Sequence, residues 1–366
     1  RLGAHRRLPR VGVEELQRTR LTPGCKPAYS SADQGLAGWQ KLSACHSVIS
    51  AIWLFILNIL GGVILNIKNK PNPVVRLDIE ILRFFSAIGI VWFHSGVAGA
   101  EVGYAGLIVF VVLSIWFSKS DAPASIEKSL ANRAKRIIRP WLIWSLIFFL
   151  INLVRGKNFQ SIGDFWFLVG GAVHLWYLPF IFFALMALDL VKILADKKTI
   201  FWLSVISVGV ILVSASVWRP WSLQLEIPLP QYFHALFALF FGVMLLYARF
   251  INLKLVVVII LAVVAGVALV WDLPGMGVPY LVGAVLSLIV FSPSFMSEGG
   301  KIFSGLVRIL GRHSFGLYLF HPIVFGVSKK LVGVETLAFP LLSVFISLLV
   351  VHAFYLISQR AYKILF

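Results

Sequence analysis

Cysteine and charge are both scarce in this chain of 366 residues. It has two cysteines, Cys25 and Cys45, which lie ahead of the apolar body and form no CxxC pair. That excludes a disulfide framework and a cysteine-based metal site. Charged residues make up 13% of the sequence and hydrophobic residues 59%. A soluble domain of this size cannot bury so much apolar surface, so the composition predicts that the lipid bilayer surrounds most of the chain.

Several motifs of catalysis and cofactor binding are missing as well. The sequence has no GxSxG elbow, no glycine-rich phosphate loop, no carboxylate pair and no cluster of histidines at metal-ligand spacing. We therefore expect no metal and no permanently bound cofactor. No segment alternates like the strands of a membrane barrel, and no repeat of fixed length occurs.

The excess of positive charge has a pattern that indicates membrane topology. The formal net charge is +18, which by itself would suggest a nucleic-acid partner. The lysines and arginines, however, fall mostly in short gaps between apolar runs, as they do in the loops of membrane proteins. We therefore expect membrane lipids as partners and no nucleic acid.

Two regions differ in composition, residues 1–70 and residues 71–366. The first begins with a polar stretch rich in Arg and Gly and ends with an apolar run at 48–67 that is long enough to span a bilayer. Spanning with Lys68 and Lys70 inside would leave the eight Lys and Arg residues of the tail outside, against the usual bias. We expect residues 1–70 to be a disordered or non-native tail, with 48–67 as an open candidate for an additional N-terminal helix.

From residue 71 onward, apolar runs recur at regular intervals. Ten transmembrane helices are predicted, at 77–97, 104–118, 140–154, 165–190, 200–217, 231–248, 253–271, 278–292, 314–332 and 337–357. With the residues before Leu77 in the cytoplasm, the inner connections hold seventeen lysines and arginines and the outer ones five. This asymmetry predicts both ends of the domain in the cytoplasm. The predicted fold is an all-α integral membrane protein, a polytopic bundle of about ten transmembrane helices.

The first predicted helix carries Arg83 and His94. A charged side chain near the bilayer centre costs about 2.5–3.5 kcal/mol on insertion scales, so its presence requires a reason. Because the two residues are eleven positions apart, they return to within about 20° of one helix face and lie about 16 Å apart along the axis. In a purely structural alternative, Arg83 reaches the inner headgroups and His94 caps the outer end. The shared face favours a functional pair.

Five motifs follow one another in a fixed order. They are Arg83, ten residues, then His94; "GYAGLIVFVVLSIWFSKS" with Ser114; "NRAKRIIRPWLIW" with Arg133 and Arg136; "HLWYLPFIF" from His174; and "GRHSFGLYLFHPI" with Tyr318 and His321. Together they resemble the membrane acyltransferase-3 family, the integral-membrane O-acyltransferases of bacterial surface polysaccharides and related glycans. The resemblance runs from about Arg76 to about Tyr362. Ile115 replaces the glycine of the second motif, and the usual acidic-proline end after the last helix is absent.

This resemblance implies a protein of the bacterial cytoplasmic membrane that takes acyl-CoA, expected to be acetyl-CoA, from the cytoplasm. The implied acceptor is a carbohydrate or a lipid-linked glycan. Acyl transfer to a hydroxyl needs a base and a donor that stabilises the oxyanion. His94 is the expected base, because imidazole titrates near neutral pH. A guanidinium does not act as a base, so we expect Arg83 to bind the phosphates of CoA or to orient the chain below His94.

Further residues are candidates for substrate binding. Arg133 and Arg136 are expected at the nucleotide phosphates, with topology charge and anionic lipid as the alternative. Trp176 and Tyr177 are expected to stack on a sugar, with a place in the aromatic belt as the alternative. The remaining candidates, taken from the motifs, are Ser114, His174, Tyr318 and His321. The residues interpreted as serving packing or a helix end are His234, His352 and Asp189.

Two other functions stay open on the residues alone. A transporter or flippase of a glycan or lipid-linked precursor also tolerates Arg and His in its lumen. Transporters more often show paired halves with broken helices, and the two sets of five predicted helices show no symmetry. The second alternative is another class of multispan acyltransferase, acting on lipid or protein, and the order of the motifs argues against it.

Overall fold

A computed structural model describes residues 76–156, 165–291, 301–334 and 336–366. Every regular element in these ranges is a helix, which confirms the predicted all-α class. The tail and the apolar run at 48–67 lie outside the described residues, so the additional N-terminal helix stays a prediction.

The α-helices of the described ranges follow one another closely along the chain. They are α1 Leu77–Ser95, α2 Ala100–Gly103, α3 Ala105–Trp116, α4 Ile126–Arg133, α5 Arg139–Val154, α6 Trp166–Val169, α7 Tyr177–Leu194, α8 Lys197–Val213, α9 Ala215–Ser222, α10 Leu229–Ile251, α11 Lys254–Val270, α12 Val278–Ser287, α13 Lys301–Val332, α14 Ala338–Ile357 and α15 Gln359–Leu365. Two 3-10 segments, Val173–Trp176 and Leu288–Phe291, adjoin α7 and α12.

The basic motif is helical throughout. A π-helical segment, Ala134–Ile138, joins α4 to α5. Pro140 lies in the first turn of α5 and has no N–H with which to bond the carbonyl of Arg136, four residues earlier. The helix adopts the wider π register in the turn where this bond is missing.

Length and composition identify several of these helices as membrane spans. Four helical stretches of the described residues could cross a bilayer, namely Ile126–Val154, Val173–Leu194, Leu229–Ile251 and Ala338–Ile357, and the pair α8–α9, bent by 75°, would be a fifth. Shorter apolar helices occupy other predicted spans. The helix α1 does not qualify on composition, because Asp78, Glu80 and Arg83 lie within it. Membrane helices are thus confirmed, and the total of about ten spans stays a prediction.

The helices α1 and α3 lie at the centre of the bundle. α1 packs against α3 and α13, and α3 also packs against α10 and α12. Glycines bring the backbone of α1 close to those of α2 and α3. A Cβ added at Gly89 would lie 2.9 Å from the carbonyl oxygen of Gly103, and one added at Gly106 would collide with the carbonyl oxygen of Ser86. This close approach of the backbones fixes the position of α1 in the core.

The C-terminal helices are tied together by a pair of histidines. His313 Nε2 of α13 and His352 Nδ1 of α14 lie 3.0 Å apart, and His313 Nδ1 lies 3.0 Å from the hydroxyl of Tyr362 on α15. That hydroxyl donates to the carbonyl oxygen of Arg312 at 2.9 Å. His352 is thus a packing histidine, as predicted, whereas the sequence analysis gave His313 no role.

Candidate active site

One end of α1 carries His94 to a cavity of about 190 Å³ inside the bundle, which we call the histidine cavity. The lining residues are Ile90, Phe93, His94, Tyr104, Leu107, Val173, His174, Trp176, Tyr177, Arg219, Leu223, Pro230, Gln231, His234 and Tyr318. The imidazole of His94 is exposed to this space, whereas His174 and His321 are buried. Of the three clustered imidazoles, His94 is therefore the one best placed to reach a bound molecule.

Three histidines from separate parts of the chain meet beside this cavity. The ring of His94 stacks on that of His321, with centroids 5.4 Å apart, and His174 meets His321 edge-on at 5.6 Å. His321 Nδ1 lies 2.7 Å from the carbonyl oxygen of Tyr318, and the Tyr318 hydroxyl donates to the carbonyl oxygen of His174. The structure thus brings together His94, His174, Tyr318 and His321, which the sequence had offered as separate candidates.

The other end of α1 carries Arg83 to a larger cavity of about 730 Å³, which we call the cationic cavity. Its positively charged lining residues are Arg83, Lys135, Arg136, Arg139, Arg312 and Lys363. None of the described residues that line it has a carboxylate side chain. The convergence of α1, the π segment, α5, α13 and α15 therefore builds a site suited to a strongly anionic ligand.

Arg83 has neighbours that hold its side chain at the rim of the cationic cavity. Its Nη1 atom lies 3.2 Å from Glu80 Oε2, one turn earlier on α1. Its guanidinium carbon lies 5.2 Å from the ring centre of Phe117. The ion pair with Glu80 was not anticipated, and since it engages one nitrogen of the guanidinium, the others are available to a ligand.

Tyr177 lines both cavities. Its hydroxyl lies 2.8 Å from the Ser114 hydroxyl and donates to the carbonyl oxygen of Phe110 at 3.3 Å. Its ring meets that of Tyr318 at 5.8 Å. Ser114 itself faces the cationic cavity, so Ser114 and Tyr177 together form the boundary between the two spaces.

Two predicted binding residues have different surroundings. Arg133 lies away from the cationic cavity and pairs with Asp189 at 2.7 Å, while Arg136 lines the cavity. Asp189 is buried and also pairs with Lys192 at 3.1 Å, so it anchors α4 to α7.

Trp176 is 6% exposed and lines the histidine cavity, which is a place where a sugar face could stack.

Four polar residues of the histidine cavity, Tyr104, Arg219, Gln231 and His234, were not predicted as site residues from the sequence. Arg219 was counted as a loop charge on the outer side, and His234 as a packing residue. His234 does pack, since its Nε2 atom lies 2.7 Å from the carbonyl oxygen of Gly275, but it lines the cavity too. The 75° bend lies at Ser214, five residues before Arg219, where the sequence has no glycine or proline to signal it.

A family comparison matches residues 76–358 to the acyltransferase domain of the acyltransferase-3 family. The chain belongs to this family. A comparison with curated proteins and one with solved structures give no significant match. As an acyltransferase-3 member, the chain is a membrane acyltransferase, which confirms the resemblance drawn from the five motifs. Within the described ranges, no group of three or more metal-ligating side chains is placed to hold an ion.

Proposed function

We propose that this acyltransferase moves an acyl group, expected to be acetyl, from acyl-CoA to a hydroxyl of a carbohydrate or lipid-linked glycan. The observation that carries the proposal is the pair of cavities at the two ends of α1, which adjoin at Tyr177. One cavity is suited to the charged donor and the other exposes the imidazole that the reaction requires. The protein would reside in the bacterial cytoplasmic membrane with both ends of the domain, and hence the cationic cavity, on the cytoplasmic side.

The donor fits the cationic cavity by charge and by length. Acyl-CoA carries its phosphates at the nucleotide end and its thioester at the end of an uncharged pantetheine arm. The phosphates would pair with Arg83, Arg136 and their cationic neighbours, because guanidinium groups bind phosphate through paired hydrogen bonds. The arm would then extend along α1, over about 16 Å, past Ser114 and Tyr177 to His94.

The transfer step uses His94 as general base. Its imidazole takes the proton of the acceptor hydroxyl while the hydroxyl oxygen attacks the thioester carbonyl carbon. When the tetrahedral intermediate collapses, the carbon–sulfur bond breaks, and the CoA thiolate receives the proton from the imidazolium.

The remaining residues of the histidine cavity would orient the groups that react. His321 stacks on His94 and limits the rotation of its ring. Trp176 and Tyr177 present aromatic faces to the cavity, on which the apolar face of a sugar can stack. Tyr318 and His174 are joined by the hydrogen bond between them and line the same cavity as His94.

The direct test is release of CoA from acetyl-CoA by the purified protein in nanodiscs, with and without glycan acceptors. We expect acceptor-dependent release, and its abolition in His94→Gln. His352→Gln, which alters a half-buried packing histidine outside both cavities, serves as the matched control and should retain most of the turnover. Unchanged release by His94→Gln would remove His94 from the mechanism, and an absence of any thioester consumption would contradict the proposed donor.

A further inference from the structure

Arg219 is a buried cation that the proposed reaction does not use. Its residue surface is 8% exposed, and its side chain lines the histidine cavity together with His94. Its Nε atom donates to the carbonyl oxygen of Pro274 at 2.9 Å. In the part of the chain that the structure describes, no carboxylate forms an ion pair with Arg219. The terminal nitrogens of its guanidinium are therefore without a countercharge from these residues.

The surroundings hold Arg219 in this position. The 75° bend between α8 and α9 turns its helix out of the direction of the preceding span. Gly275, with φ at +74°, brings the neighbouring loop so close that an added Cβ would lie 2.9 Å from His234 Nε2 and 3.4 Å from Arg219 Nη2. The Tyr280 hydroxyl donates to the carbonyl oxygen of His234 at 2.7 Å. The guanidinium is thus held by its bond to Pro274, in a loop whose close approach Gly275 permits.

Other polar atoms of this cavity also lack partners. Gln231 Oε1 and His234 Nδ1 are buried and have no hydrogen-bond partner among the described residues. Each such atom costs about 1–3 kcal/mol while it stays unsatisfied, and a buried guanidinium without a countercharge costs more. A bound molecule that supplies an anionic group beside Arg219 and hydroxyls to its neighbours would satisfy all three.

We propose that Arg219 binds an anionic group, a carboxylate or a phosphate, on the acceptor. This inference rests on the proposed function for the identity of the acceptor. The phosphates of the donor do not compete for the same arginine, because the cationic cavity lies at the other end of α1. An acceptor held by its charge at Arg219 would present a hydroxyl to His94 in the same cavity. The acceptor class is therefore an acidic glycan, either a uronic acid or a sugar phosphate.

Three matched probes separate the sources of charge. Methyl glucoside, methyl glucuronide and methyl glucoside 6-phosphate differ only in the group on C5. This group is a hydroxymethyl, a carboxylate or a phosphorylated hydroxymethyl. Binding is measured as the thermal stabilisation of the purified protein in nanodiscs, without donor, because a ligand that binds the folded state raises Tm. Transfer is measured separately as kcat/KM for each probe with acetyl-CoA.

We expect one of the two acidic probes to stabilise the wild-type protein and to exceed the neutral probe by about ten- to a hundredfold in affinity. The acidic probe that binds more tightly shows whether the anionic group on the acceptor is a carboxylate or a phosphate. Arg219→Gln should lose this preference, and Arg219→Lys should retain part of it, since the charge remains without the planar fork. Arg155→Gln removes an exposed arginine outside both cavities and should leave the preference unchanged.

The outcomes are distinct for the two proposals. Equal binding of all three probes, or a preference that persists in Arg219→Gln, would overturn the role of Arg219. An equal loss of kcat for the acidic and neutral probes in Arg219→Gln, with binding intact, would also overturn it and place the arginine at the reacting atoms. Charge-selective binding that depends on Arg219 but is accompanied by no acyl transfer would support the anion site and contradict the proposed reaction.

Discussion

His94 and His321 stack on each other, with ring centroids 5.4 Å apart and ring planes inclined by 26°. His321 is buried, and its Nδ1 atom lies 2.7 Å from the carbonyl oxygen of Tyr318. The contact with its own helix thus fixes the ring of His321, and the face of this ring contacts His94. The contact makes His321 a positioning residue for the proposed base.

Replacing His321 by Ala should therefore lower kcat severalfold while acyl-CoA binding stays unchanged, because the ring of His94 gains rotational freedom. His321→Phe should recover part of the loss, since it restores an aromatic face without the ring nitrogens. Initial-rate kinetics and equilibrium binding of acyl-CoA measure the two quantities. An equally severe loss in both variants would instead show that an imidazole nitrogen of His321 takes part.

Arg136 and Arg133 form a matched pair for donor binding. Arg136→Gln should raise the Kd for acyl-CoA severalfold with little change in Tm, because Arg136 lines the cationic cavity. Arg133→Gln should leave the Kd near its wild-type value and lower stability by about 1–3 kcal/mol, because Asp189 loses a charged hydrogen-bond partner while it keeps Lys192. Isothermal calorimetry measures the Kd of each variant, and thermal unfolding measures its stability. The reverse assignment would place the donor phosphates at α4.

Ser114 tests the boundary between the cavities. Ser114→Leu should reduce turnover strongly while the Kd for acyl-CoA changes little, because the larger side chain narrows the passage for the thioester but leaves the phosphate contacts in place. Ser114→Ala, which removes the hydrogen bond to Tyr177 without adding bulk, is the control and should cost less. If Ser114→Leu abolished donor binding, the nucleotide itself would have to lie against this residue.

The topology can be read with reporters in two connections. One inserted after Lys119, between α3 and α4, should report the cytoplasm, and one inserted after Gln224, between α9 and α10, should report the outer side. The expectation follows from the excess of lysine and arginine on one set of connections. Two reporters on the same side would mean that the predicted count of ten spans is wrong between these points by an odd number.

Removal of residues 1–70 should preserve acyl transfer. The family match begins at residue 76 and α1 at Leu77, and both cavities are lined by residues from α1 onward. Expression level, Tm and CoA release of the truncated protein, each compared with the full chain, measure the effect. Failure of the truncated protein to fold would identify the run at 48–67 as a further helix of the bundle.

The sequence predicted those features that depend on a single helix or a single motif. The placement of Arg83 and His94 toward opposite ends of one helix follows from the helical repeat, and the structure confirms it with a separate cavity at each residue. The meeting of His94, His174 and His321 depends on three distant segments, which the motifs could name but not bring together. Arg133 and Arg136 lie in one motif, and only the position of Asp189 shows that they have different contacts.

The position of Arg219 in the cavity could not be predicted from the sequence, for a different reason. Counting charges in connections treats every arginine after an apolar run as a loop residue, and this rule works for most of them. The bend after α8 returns Arg219 to the bundle, and a bend depends on what packs around it, here the loop at Gly275. The sequence has no glycine or proline at Ser214, where the bend lies, and Pro220 lies inside α9.

The position of Tyr177 on the walls of both cavities bears on the kinetic order of the reaction. Because donor and acceptor would occupy different cavities, neither has to leave before the other binds. No acyl-enzyme is then needed to hold the acyl group between release of CoA and binding of the acceptor. A ternary complex follows, so double-reciprocal plots at several fixed acceptor concentrations would intersect rather than run parallel. Only the acylated end of the pantetheine arm would then pass Tyr177, while the nucleotide and the sugar each stay on their own side.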